Sequence, residues 1–139
     1  MTVSESIIKW LHEFDLEEYG RLKQIDTDVQ GATVDTYALV KEPIKNVKTY
    51  LSGRKEITEH YTITARLASR EDRERVRNIG FGEALEEWVA DRNAAEHYPE
   101  IPEARVKKIS VTTPFFLGTT QTNDSVYQMT VQIKYEKEN

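Results

Sequence analysis

Between Ser125 and Tyr135 polar and apolar residues alternate without a break, with Tyr127, Met129, Val131, Ile133 and Tyr135 on one parity and Gln128, Thr130, Gln132 and Lys134 on the other. Successive side chains of a strand point to opposite faces, so this run predicts a closing strand with one face on a core. A longer run upstream behaves similarly. Ile57, Tyr61, Ile63, Ala65 and Leu67 share one parity and Thr58, His60, Thr62, Thr64 and Arg66 the other, with Glu59 intruding on the apolar side. Before it, Thr36–Lys41 and Asn46–Leu51 read as two short strands parted by Glu42-Pro43, because proline removes a ladder donor. Ser52-Gly53-Arg54 reads as a hairpin turn, and the three strands predict an antiparallel meander. Val106–Thr113, with Ile109 and Val111 inward, predicts another strand, and Gly118–Asp124 a polar, mobile loop leading to the last one.

Two stretches carry helical spacing instead. Thr2 and Glu5 have capping-box spacing, and Ile7, Ile8, Leu11 and Phe14 follow at helical intervals, so a helix is expected from about Val3 to Phe14 with its apolar stripe on the sheet. Ser69 and Asp72 offer a second start. Val76, Ile79, Phe81, Ala84, Leu85, Trp88 and Val89 then recur at mostly three- and four-residue intervals through Asp91 or beyond, predicting the main covering helix. Gly80 and Gly82 weaken it by about 1 kcal/mol each relative to alanine, which points to close packing or a bend at Phe81, with a bend preferred. Asp15–Val34 predicts one short element, with Gln30-Gly31-Ala32 as a turn, and His97-Tyr-Pro-Glu-Ile-Pro102 an irregular connection. The expected fold is α+β: a mainly antiparallel sheet of about five strands with helices packed on one face. Its element order is helix-strand-strand-strand-helix-strand-strand, in a single domain over residues 1–139.

A chain of 139 residues is long enough to bury one core without staples, and it contains no cysteine, which excludes disulfides, thiolate metal sites and a cysteine nucleophile. The opening Met-Thr-Val-Ser-Glu-Ser lacks a basic segment followed by an apolar run, and no stretch approaches the roughly 18–20 apolar residues of a membrane span, so neither export nor embedding is expected. Formal net charge is -5 with both signs interspersed, which opposes a general attraction to nucleic-acid phosphates.

The reactive residue types form no catalytic constellation. The histidines at 12, 60 and 97 lack the spacing that places two imidazoles on one helix face, so no metal ligand is assigned. His60 sits on the polar parity of its strand, where a solvated sheet face is expected. Glu86, Glu87 and Asp91 are expected on the wet side of the second helix. Gly80-Phe-Gly82 has neither the third glycine nor the Lys-Ser/Thr pair of a phosphate loop. Trp10 and Trp88, each on a helix, are expected as core or interface anchors, Trp88 in the core. No catalytic or cofactor-binding residue is assigned. Phe115-Phe116-Leu117 differs, because parity cannot bury three consecutive large apolar residues in one sheet face. At least one of them is expected to serve another contact, either a subunit or partner interface, for which Phe115, Phe116 and Leu117 are the candidates, or a satellite core cluster.

Across nearly its whole length the chain resembles a group of small bacteriophage and prophage proteins of Gram-positive bacteria, the minor capsid or tail terminator family. The likeness runs in order through Ile25-Asp-Thr-Asp28, Tyr37-Ala-Leu-Val-Lys-Glu-Pro43, Val47-Lys-Thr-Tyr50, Gly53, Glu56-Ile-Thr-Glu-His-Tyr61 and Ala65-Arg66. It continues through Trp88, Tyr98-Pro-Glu-Ile-Pro102, Ile109-Ser-Val-Thr-Thr-Pro114 and Tyr127-Gln-Met-Thr-Val-Gln-Ile-Lys-Tyr135. Asp15–Gln24 and the glycines at 80 and 82 match the family least. The resemblance implies a non-enzymatic virion protein without cofactors, made in the bacterial cytoplasm and placed at the tail–neck junction. It would form a ring, expected to be hexameric, on the head-proximal end of the tail tube. Its partners would be copies of itself, the tube protein and a neck or head-completion protein, with DNA passing through without specific binding. A neck adaptor of the same virion, or a small α+β ligand-binding protein or enzyme with a pocket near His60 and Tyr61, are the alternatives.

Overall fold

A computed structural model describes residues 1–22, 24–28, 30–31 and 34–138. In chain order the elements are α1 (Val3–Leu11), β1 (Asp15–Leu16), β2 (Gly20–Arg21), β3 (Ile25–Thr27), β4 (Thr36–Thr49), β5 (Lys55–Ala68), α2 (Asp72–Ala94), β6 (Ala104–Thr120) and β7 (Asp124–Lys137). The fold is α+β, with two helices and a mixed five-stranded sheet of order β3-β4-β5-β7-β6. A separate ribbon pairs β1 with β2.

The alternating runs become the central strands. β5 and β7 pair antiparallel from Lys55↔Lys137 to Ala68↔Asp124, and their apolar parities merge in one core with Ile109 of β6. The expected three-strand meander reduces to the β4–β5 hairpin, because its first two strands are one, and a second hairpin, β6–β7, joins the sheet with β7 inserted between β5 and β6. One pairing is parallel: β3 runs alongside β4 at Ile25↔Tyr37 through Thr27↔Leu39. Asp15–Val34, expected to hold one short element, thus supplies three, including a member of the main sheet. The expected turn at Gln30-Gly31-Ala32 lies partly outside the described residues.

Pro43 was read as parting two strands, and the strand expected from Val106 stopped at Thr113, but neither proline ends a strand. Thr36–Thr49 is a single strand whose register with β5 slips between Lys41 and Lys45, leaving Glu42-Pro43-Ile44 as a bulge. β6 likewise runs through Pro114, with a shift between Thr113 and Phe116, and continues to Thr120 where a loop from Gly118 was expected. The connection to β7 is a tight turn closed by Gln121 N–H donating to the Asp124 carbonyl (2.9 Å). Each proline lies in a bulge on an edge strand, where a missing donor breaks no ladder bond.

Helix α1 starts as read: Glu5 N–H donates to Thr2 Oγ1 (3.1 Å) and Thr2 N–H to Glu5 Oε1 (3.2 Å). It ends at Leu11, earlier than the Phe14 expected. The Glu13 and Phe14 amides bond three residues back, to the Trp10 and Leu11 carbonyls. That tighter turn swings Phe14 into the core, edge-on to both Phe81 and Trp88. Trp10 and Trp88 meet with ring centroids 4.6 Å apart, joining the helices, and the Trp10 indole donates to the His97 carbonyl (2.8 Å).

Helix α2 begins at Glu71, with Glu71 and Glu74 forming its capping box, whereas Ser69 is buried against the Ser125 hydroxyl (2.6 Å). Its inward face is Asn78, Phe81, Gly82, Leu85, Trp88 and Val89. Val76 and Ile79, expected on that stripe, are 60% and 57% exposed. Asn78 takes the inward position, donating to the Ala68 carbonyl (2.8 Å) and the Tyr127 hydroxyl (3.3 Å). The α-helix is unbroken through both glycines, and close packing accounts for them: a Cβ at Gly80 would meet Tyr19 Oη at 2.5 Å, and one at Gly82 the Phe115 ring.

Candidate functional site

The structure separates the three residues of Phe115-Phe116-Leu117. Phe115 packs against the core, stacked on Tyr127 (5.1 Å, 5° between planes) and edge-on to Phe81. Phe116 pairs with Gln128 across the ladder and therefore sits on the sheet face opposite Phe115, 44% exposed, while Leu117 is 50% exposed. The segment is held to α2 by Phe115 N–H donating to Glu86 Oε1 (2.9 Å). Glu86, expected in water, is accordingly half-buried, whereas Glu87 and Asp91 are exposed.

A second exposed apolar group lies on the other side of the sheet. Past Leu39 the outer side of β4 has no strand partner among the described residues, so β4 from Val40 onward is an edge. Here Ile44 and Val47 are 63% and 50% exposed, and Leu51 at the hairpin tip is fully so. The tip is closed by Tyr50 N–H donating to the Arg54 carbonyl (2.8 Å) and by Gly53 at φ 90°, a value a side chain would strain. Arg54 lies over the Tyr50 ring, 4.3 Å from its centroid. Residues 41–55 carry five basic side chains against one acidic one, in a chain of net charge -5. Sequence reasoning passed over this arm, although lysines at 41, 45 and 48 interleaved with Ile44 and Val47 were a readable signal.

The sheet face opposite the core is polar and tied together. Thr62 donates to Glu42 and lies 3.1 Å from the Thr130 hydroxyl. Thr64 donates to Gln30, and Arg66 reaches the Gly31 carbonyl (2.8 Å) and Asp124 (3.0 Å). His60 belongs to this face, and its buried Nδ1 has no hydrogen-bond partner among the described residues. Tyr61, its strand neighbour, is buried in the core on the other face. The two rings therefore line no common pocket.

Glu59, the carboxylate on the apolar parity, is 2% exposed and fully engaged. Lys41 Nζ lies 3.0 Å from Oε2, Tyr61 donates to Oε2 (3.5 Å), and Tyr135 donates to Oε1. Burial pushes its carboxyl pKa up, but the hydrogen bonds from Tyr135 and Lys41 outweigh that and leave it below the usual carboxylate value. Burial, together with the Glu59 charge, pushes Tyr61 to about 12 and drives Tyr135 upward as well. Every group in this cluster is used by another, so it braces the β4–β5–β7 junction.

Several concavities lie beside the helices. A cleft of about 410 Å³ is walled by Arg21, Asp35, Tyr37, Glu74 and Arg77, and burial and Asp35 push Tyr37 to about 12. A groove of about 400 Å³ runs between α1 and residues 97–102 past Trp10 and Tyr98, beside the His97–Glu13 pair (2.7 Å). A shallower depression of about 470 Å³ lies between the β1–β2 ribbon and α2. Among the described residues no group of three or more His, Cys, Asp or Glu side chains is placed to hold a metal ion, and no helix is long and apolar enough to cross a membrane.

No family model matches the chain, and no curated protein matches its sequence.

Proposed function

We propose that this chain is a structural subunit of a bacteriophage or prophage tail, closing with copies of itself into a ring on the head-proximal end of the tail tube and ending the tube's growth there. One observation carries the reading. Exposed large apolar side chains collect on both margins of one sheet, Ile44, Val47 and Leu51 beside β4 and Phe116 and Leu117 on β6. The two patches are unlike. Unlike patches suit unlike neighbours, one turned to the next copy and the other to the tube or neck, and copies that associate head to tail close into a ring when the rotation between neighbours is right.

In this reading both helices cover one face of a mainly antiparallel sheet, since α1 and α2 share a core cluster with the Tyr127–Tyr135 parity, and the opposite polar face stays free. Termination then needs no bond-making. One side of the ring complements the last tube ring, and the other offers no matching surface for a further one. The Phe116–Leu117 patch contacts the tube or the neck protein. Phe115 acts indirectly by anchoring the strand that presents it.

The test is tail assembly with the chain, without it, and with the variant Phe116→Ala/Leu117→Ala. Overlong or ragged tubes in its absence and poor capping by the folded variant are expected. Tubes of normal length without the protein would refute the assignment.

A further inference from the structure

We propose that the β4–β5 arm of one copy docks onto the depression between α2 and the β1–β2 ribbon of a second copy. This rests on the ring reading and adds where the subunits touch. The arm is an apolar ridge inside a basic field: Ile44, Val47 and Leu51 stand exposed among Lys45, Lys48 and Lys55, none of which makes an ion pair among the described residues. The depression is the converse. Leu16, Tyr19 and Ala84 line it together with Glu17, Glu18, Glu83 and Glu87, and none of these carboxylates forms an ion pair among the described residues.

The acidic rim is not the only feature there. On the same stripe of α2, three and four residues apart, Val76 and Ile79 lead directly to Glu83 and Glu87. They are exposed although their residue type belongs in a core. Each surface thus offers apolar area plus one sign of charge, and each lacks what the other supplies. Unlike surfaces of this kind attract each other and repel themselves, which favours heterologous contact over a symmetric dimer. Among the described residues the arm's Lys45, Lys48 and Lys55 and the depression's carboxylates form no ion pair within the chain, so their mate is another molecule. A second copy carries both halves of the fit.

Charge exchange tests it. Lys45→Glu/Lys48→Glu reverses the arm and Glu83→Lys/Glu87→Lys reverses the depression; all four side chains are exposed, so circular dichroism should show both proteins folded. Sedimentation at low salt should show wild-type self-association weakened about tenfold or more in each variant. An equimolar mixture should recover it to within about threefold, because every arm then meets a depression of opposite sign. A mixture no better than its components, or a wild type that does not associate at any concentration, would overturn the contact. So would salt-sensitive retention of wild type on duplex DNA that the arm variant loses without any effect on association, which would make nucleic acid the arm's partner. Tail assembly separates this contact from the ring reading. Normal capping by the arm variant alone removes the contact and leaves the ring, whereas normal tubes without any protein remove the ring.

Discussion

Substituting Gly82 by alanine should destabilise the protein, while the same change at Gly80 should not. In a helix interior alanine is favoured over glycine by about 1 kcal/mol, so propensity alone predicts that both variants gain. Space decides otherwise at Gly82. A Cβ there would stand 2.5 Å from Phe115 Cγ and 2.9 Å from Phe115 Cβ, well inside the roughly 3.5–4.0 Å of carbon contact. Phe115 cannot turn away cheaply, because its ring is stacked on Tyr127 and wedged on Phe81, and its amide is bonded to Glu86. Overpacking of this kind costs about 1–3 kcal/mol, and loss of the aromatic pairing adds about 0.5–1.5 kcal/mol. After the helix gain, a net loss of about 0.5–3.5 kcal/mol remains. At Gly80 the obstacle is the far end of the Tyr19 side chain, which can swing, so Gly80→Ala should lie between neutral and about 1 kcal/mol more stable. Urea unfolding midpoints at unchanged slope measure both. The double variant Gly82→Ala/Phe115→Ala should lose less than the sum of its parts, because removing the ring removes the clash. A Gly82→Ala protein at least as stable as wild type would refute the claim that α2 and β6 approach closely here and that Phe115 anchors β6 to the helix.

Glu59→Gln should flatten the acid limb of the stability profile. The folded pKa of Glu59 lies below its unfolded value of about 4.3, so its contribution is complete above that pH and disappears as pH falls through the lower folded value. An unchanged acid limb in denaturant titrations at successive pH values would contradict this. Glu59→Ala, which strands the Tyr61 and Tyr135 hydroxyls, should cost about 3 kcal/mol. Tyr37, Tyr61 and Tyr135 should resist ionisation while the protein stays folded, so phenolate absorbance should rise late for three of the seven tyrosines. Their raised values add stability that is whole below about pH 10 and is lost as pH climbs through the folded values, so alkaline unfolding and the late absorbance step should coincide.

Much of this architecture was legible in short-range pattern. The alternation of Ser125–Tyr135 and of Ile57–Leu67 follows from strand geometry, and the Thr2–Glu5 box from hydrogen bonds among neighbours, so no distant partner was needed to read them. What went unread depended on partners far along the chain. Pro43 looked like a strand break and β6 was expected to stop short of Pro114, but a missing amide matters only if the next strand needs it, and both prolines lie where none does. Val76 and Ile79 looked buried because periodicity does not see Asn78 claiming the inward position through Ala68 and Tyr127. The three-residue strand Ile25–Thr27 is too short to announce itself and exists through its parallel pairing with Tyr37–Leu39.

The candidate surfaces divide the same way. That Phe115, Phe116 and Leu117 could not all be buried was evident from their adjacency, but which one turned inward depended on the space that Gly82 leaves on a helix distant in sequence. Local composition established an α+β chain with two amphipathic helices and two half-buried central strands, because period and capping are properties of a few neighbouring residues. Strand order, the choice of edges and the separation of basic arm from acidic depression came only with folding, because each is a relation between segments that local free energies do not connect.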